Sequence, residues 1–99
     1  MQSSDHITRR MKLHDLHILM AVVQAGSMNK AAAVLNLTQP AVSRSIADLE
    51  RTVGVSLLDR HGRGVEPTVY GRALLNGGTA VFDDLRQALK DIQFLADPT

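Results

Sequence analysis

"LNLTQPAVSRSIADLE", residues 35–50, sets a proline inside an otherwise amphipathic helical pattern. In a helix interior proline costs about 3 kcal/mol, through a lost hydrogen bond and a ring clash with the preceding turn. In the first turn that cost disappears, because the N–H it lacks has no intrahelical partner there. Thr38, two residues earlier, supplies the hydroxyl of an N-cap. The stretch therefore predicts a helix whose first turn contains Pro40 and which Gly54 ends. Val42, Ile46, Leu49 and Val53, spaced 4, 3 and 4, form its inward stripe.

Upstream, Leu13, Leu16, Leu19, Met20, Val22 and Val23 mark a helix over Leu13–Ala25, closed by Gly26. Ser27 is the natural cap of a short helix through Leu35, with Met28, Ala31, Ala32 and Leu35 inward. Small alanines let another helix cross closely. Asn36 tolerates the left-handed conformation that stops a helix, and Leu37 is placed to plug the turn. The second and third helices, joined by Asn36-Leu37-Thr38, have the dimensions of a helix-turn-helix. A tight αα-hairpin of another kind fits the same spacing.

Downstream, "VSLLDRHGRGVEP" (55–67) holds two short apolar runs around a charged tip with Gly62 and Gly64, a β-hairpin pattern. Thr68 caps a last helix to about Leu95. There Leu74, Gly78, Val81, Leu85, Ala88, Ile92 and Leu95 are spaced 4, 3, 4, 3, 4, 3, a heptad seam widened by Leu75, Phe82 and Leu89. Such a helix is about 42 Å long at 1.5 Å per residue, more than the other elements can cover. A second copy of the chain is the expected partner, and a helix folded back on its own domain is the alternative. Gly78 lies on the seam, where it either lets paired helices approach or marks a weak spot.

The 99 residues allow one domain. With no Cys, no Trp and 3% aromatics, the core must be aliphatic, which suits packed helices. Disulfides and thiolate metal sites are excluded, and a cytoplasmic setting is expected. Met1–Arg10 reads as a polar, frayed tail. Residues 1–72 carry nine Lys/Arg against six Asp/Glu, whereas 73–99 carry two against four, so the net +1 hides a basic first part.

The outward face of the Pro40 helix carries the chemistry. It presents Gln39, Pro40, Ser43, Arg44, Ala47 and Arg51, with no acid before Asp48. Gln pairs bidentately with adenine, Arg with guanine or phosphate, and Ser with either, while Pro40 and Ala47 can meet a thymine methyl. Arg60 either contacts phosphate or pairs with Asp59 or Glu66, and Arg51 and Arg72 likewise either contact phosphate or pair at the surface. Arg63, between Gly62 and Gly64, sits at the hairpin tip, suited to the minor groove. His14 and His17 read as surface histidines, and no metal site, cofactor site or catalytic constellation is expected.

The run "GSMNKAAAVLNLTQPAVSRSIADLERTVGVSLLDRHGRGVEPTVYG" resembles the N-terminal domain of LysR-type transcriptional regulators. The likeness lies in the Gly-Ser turn, the paired alanines, "TQPAVSRSIADLE" and the Thr-x-x-Gly that opens the last helix, and it covers roughly residues 12–95. Met28 and Leu58 stand where Phe is common in the family. The resemblance implies a mainly α winged helix-turn-helix, three helices and a hairpin wing, followed by a linker helix. It implies a homodimer through that helix, a tetramer being open to a full-length protein, on an interrupted palindrome in double-stranded promoter DNA. Gln39, Pro40, Ser43 and Arg44 would then lie at the major groove, with Arg63 near the minor groove and backbone. Thr38 and the first-turn amides would hold a phosphate, and Arg51 and Arg60 complete the expected DNA-binding residues. Leu74, Gly78, Val81, Phe82, Leu85, Leu89 and Ile92 would form the dimer seam. The domain plan is a tail (1–11), the winged helix-turn-helix (12–67), the linker helix (68–95) and a short end (96–99). The small-molecule-sensing domain of such regulators is not expected in this sequence. The rival expectation is a protein-interaction or dimerisation module that has lost DNA binding.

Overall fold

A computed structural model describes residues 3–62 and 64–97. The elements run α1 (Ser4–Arg10), α2 (Leu13–Ala25), α3 (Met28–Leu35), α4 (Gln39–Val53), β1 (Leu58–His61), β2 (Gly64–Pro67) and α5 (Val69–Ala96). The fold is a mainly α winged helix-turn-helix with a long final helix, as its residues and its family likeness imply.

Side chains and backbone geometry at the helix ends explain the order of elements. The hydroxyls of Ser27, Thr38 and Thr68 accept N–H groups from Lys30, Ala41 and Gly71 at 3.0, 3.2 and 3.1 Å. Each satisfies a first-turn donor that has no helical partner. Gly26, Asn36 and Gly54 end α2, α3 and α4 in the left-handed conformation, Asn36 with φ 58°. At Asn36 the Leu37 N–H donates to the Ala32 carbonyl at 2.9 Å and the Asn36 N–H to Ala33 at 3.3 Å. Those two bonds are a Schellman turn. It leaves Leu37 half-buried against the core, as the plug the sequence predicts.

The core is aliphatic. Leu16, Ile18, Leu19 and Val22 of α2 meet Ala31 and Ala32 of α3, Val42, Ile46 and Leu49 of α4, and Leu57, Leu58 and Val65 from the hairpin. Central α2 is buried on more than one side. Ile18, outside the expected stripe, is 1% exposed, whereas Leu13, counted in it, is 50% exposed. No single helix among the described residues is long and apolar enough to cross a membrane.

The stretch expected to fray departs from that reading over residues 4–10, which form α1. The Ser3 hydroxyl accepts the His6 N–H at 3.3 Å, and Asp5 begins the helix while Arg9 and Arg10 end it. That charge order suits the helix dipole. Ile7 is buried and α1 packs on α4.

β1 and β2 pair antiparallel, Leu58 opposite Pro67 and His61 opposite Gly64. The Val65 N–H donates to the Gly26 carbonyl at 3.0 Å, which ties the hairpin to the turn between α2 and α3. Gly64 adopts φ 146°, and a Cβ there would run into the same Gly26 carbonyl. Both the backbone conformation and the approach require glycine.

Along α5 the apolar seam divides. Leu74, Leu75 and Phe82 are half-buried against the domain core. Gly78 is buried with its α-carbon facing Leu16: a Cβ there would lie 3.1–3.3 Å from three Leu16 side-chain carbons. Within one chain, the close approach at Gly78 is thus made to α2 of its own domain. Beyond Phe82 the helix leaves the domain. Val81, Leu85, Leu89 and Ile92 are exposed, and so are Phe94 and Leu95.

Candidate nucleic-acid interface

α4 is built with two chemically different sides. Val42, Ile46 and Leu49 are buried. Gln39, Pro40, Arg44, Ala47 and Arg51 are exposed, and Ser43 is half-buried beside them. Pro40 occupies the first turn, inside the cap made by Thr38, so it interrupts no helical hydrogen bond. The Gln39 side-chain amide donates to the Ser43 hydroxyl at 3.0 Å, one helical turn on. This bond uses one amide proton. The other proton, the amide oxygen and the Ser43 hydroxyl proton stay available to a polar edge outside.

Arg44 is exposed and makes no ion pair among the described residues, so its fork of donors faces outward. Arg51 pairs with Asp48 at 2.8 Å through exposed side chains. Such a surface pair is worth little and can be exchanged for another anion. The two arginines and the Gln39–Ser43 pair make one polar, electropositive strip about three and a half turns long, at 3.6 residues per turn.

The hairpin adds a second surface. Arg60 on β1 is exposed and, among the described residues, pairs with neither Asp59 nor Glu66; Glu66 instead lies 3.8 Å from His61. Asp59 and Glu66 are cross-strand partners, so that side of the hairpin is acidic and repels phosphate. Arg63 lies outside the described residues. Arg72 is exposed in the first turns of α5.

Two features escaped the sequence reading. Glu50 is a tether rather than a surface acid: its Oε2 accepts the Leu57 N–H at 2.7 Å and the Leu58 N–H at 3.3 Å. His17 packs edge-on to Phe82, ring centroids 5.7 Å apart, and so joins α2 to α5. Only the order "DLE" ahead of a loop hinted at the first, and nothing local hinted at the second.

Comparison with known proteins agrees with this geometry. Residues 13–72 match the family model described as bacterial regulatory helix-turn-helix protein, lysR family. The chain is 37% identical over 86 residues to the HTH-type transcriptional regulator GbpR of Azospirillum brasilense, covering 87% of this chain and 25% of GbpR. It is 45% identical over 83 residues to the HTH-type transcriptional regulator CbbR of Sinorhizobium medicae, covering 84% of this chain and 26% of CbbR. The chain thus spans about a quarter of the length of these curated relatives. Among solved structures it is similar to a CbnR DBD–DNA complex, with TM-score 0.81 and 32% identity over 87% of this chain and 99% of that one. It is similar also to a BenM DBD/catB site 1 DNA complex, with TM-score 0.84 and 32% identity over 89% of this chain and 95% of that one. By sequence and by fold, the chain belongs to the LysR family of bacterial helix-turn-helix regulatory proteins.

Proposed function

We propose that this chain is the DNA-reading part of a transcription regulator, and that α4 enters the major groove of double-stranded DNA. The observation that carries the reading is the division of α4. Its apolar side is anchored in the core by Val42, Ile46 and Leu49, while Gln39, Pro40, Ser43 and Arg44 face outward around an N-terminus capped by Thr38. Gln39 and Ser43 read base edges, Arg44 reads a base or grips phosphate, and the Gln39 N–H at the start of the helix suits a phosphate, since Ala41 and Val42 donate to Thr38. Arg51, Arg60 and Arg63 serve the backbone and the minor groove. That the similar CbnR and BenM domains were solved on DNA supports this assignment.

The acting unit in this reading is a homodimer. Val81, Leu85, Leu89 and Ile92 lie exposed on α5, the last three on the part that has left the domain, and a second copy would cover them. Leu74, Gly78 and Phe82 support the seam from within each domain rather than across it. Two α4 helices so joined suit an interrupted palindrome whose half-sites are about 34 Å apart or a multiple of it. Sensing of a small molecule, assembly into a tetramer and the choice of activation or repression belong to a longer regulator acting in the cytoplasm. The chain itself is a binding module without enzymatic activity and needs no cofactor.

Selection of bound sequences from a random duplex pool, followed by titration at two salt concentrations, tests the reading. An enriched interrupted palindrome whose affinity falls steeply with salt is expected. No enriched sequence and no salt dependence would favour a protein-interaction module, the reading that the low net charge of +1 also suits.

A further inference from the structure

Glu50 joins the helix proposed to read DNA to the segment that leads into α5. Its Oε2 accepts the Leu57 N–H at 2.7 Å and the Leu58 N–H at 3.3 Å, and the Ser56 hydroxyl shares its proton between this oxygen at 3.3 Å and the Leu58 carbonyl at 3.1 Å. From that segment two bonds continue to Thr68. The Thr68 hydroxyl donates to the Ser56 carbonyl at 2.7 Å, and its N–H donates to the Leu57 carbonyl at 3.0 Å. The same hydroxyl accepts the Gly71 N–H as the cap of α5. A side chain at Gly71 would run into the Leu57 carbonyl, so α5 starts hard against this segment. A single carboxylate on α4 is therefore two hydrogen-bonded steps from Thr68, the cap of α5.

The principal packing of α5 is on α2 and β2, not on α4. Apolar packing is non-directional, whereas hydrogen bonds, stronger when one partner is charged, fix direction. We propose that Glu50 is a positioning residue: through Leu57 and Thr68 it fixes the angle between α4 and α5, and so determines which spacing between half-sites the dimer accepts. This rests on the dimer reading above. Each added base pair moves the far half-site by about 3.4 Å along the duplex and about 35° around it. A rigid pair of domains tolerates little of that movement, because simultaneous engagement is lost when the geometry forbids it.

The test uses the full chain and duplexes bearing the selected palindrome with its spacer changed one base pair at a time. A duplex with one half-site and sedimentation of the free protein serve as controls. Wild type is expected to favour one spacer over those two base pairs away by about tenfold or more. Glu50→Ala should flatten that preference to about threefold or less while leaving the base preference within a single half-site unchanged. Glu50→Gln, whose amide oxygen still accepts the Leu57 N–H, should fall between them. Thr68→Val should act like Glu50→Ala, and Thr68→Ser like wild type. A folded Glu50→Ala protein with the wild-type spacer profile overturns the inference. Should that variant fail to fold, an unchanged profile in Thr68→Val overturns it instead. A wild-type protein that is monomeric and indifferent to spacer length overturns the dimer reading itself, and the inference falls with it.

Discussion

The Gln39 side-chain amide and the Ser43 hydroxyl are hydrogen-bonded at 3.0 Å across one turn of the exposed face of α4. If α4 reads bases as proposed, this bond favours one orientation of Gln39 and so lowers the entropy lost when its amide meets a base. The two residues should therefore act as a unit. Gln39→Ala and Ser43→Ala are each expected to weaken binding to the selected site. The double variant should lose less than the sum of the two, by about 0.5 kcal/mol or more. Binding titrations in a double-mutant cycle measure the difference, and strict additivity would mean that the two side chains contact DNA independently.

Arg51 and Arg63 should contribute without regard to sequence. Removing one phosphate contact reduces the salt slope of log K by about one and weakens all sequences alike. Arg51→Ala is expected to behave this way with almost no change in the stability of the free protein, since its pair with Asp48 is exposed. Arg63→Ala should do the same. Titration of specific and scrambled duplexes over a salt series checks both, and a change in which sequence is preferred would assign base or shape readout to the altered arginine.

Thr38 has a structural role that can be separated from DNA. Its hydroxyl accepts the Ala41 N–H at 3.2 Å, so Thr38→Ala should cost about 1 kcal/mol of folding stability. Thr38→Ser should restore it. Urea unfolding of the free protein measures this, and equal stability of all three proteins would contradict the cap.

The neighbouring glycines of α5 should respond in opposite directions. Gly77 has open space around it, and Gly77→Ala should stabilise the helix by about 1 kcal/mol. At Gly78 an added methyl crowds the Leu16 side chain, which outweighs the helical gain, since overpacking costs about 1–3 kcal/mol. Thermal unfolding should therefore rank Gly77→Ala above wild type and Gly78→Ala below it. Stabilisation by both would show that α2 yields easily at this contact.

How much of this was legible in the sequence follows from how local each signal is. Ser27, Asn36, Thr38, Gly54 and Thr68 end or begin helices through groups a few residues away, and each reads correctly from the chain alone. The outward residues of α4 were legible for the same reason, because burial of Val42, Ile46 and Leu49 dictates the opposite face. α1 was not, since "SDHITRR" has one apolar residue, and Ile7 is buried only where tertiary structure places α4 beside it. The contacts made by Glu50 and Gly78 were not legible. Their partners, Leu57 and Leu16, lie on other elements, and no helical period encodes such a contact. Leu13 and Ile18 exchanged roles because a single stripe was assumed for a helix that is buried on more than one side.

Sequence selection repeated with Gln39→Ala measures whether the outward face of α4 reads bases. Wild type should enrich an interrupted palindrome. The variant should enrich the same palindrome with preference lost at one position in each half-site, a loss of about 1–3 kcal/mol at that base pair. Identical enrichment by both proteins, or an altered preference spread evenly along the site, would mean that Gln39 does not read a base.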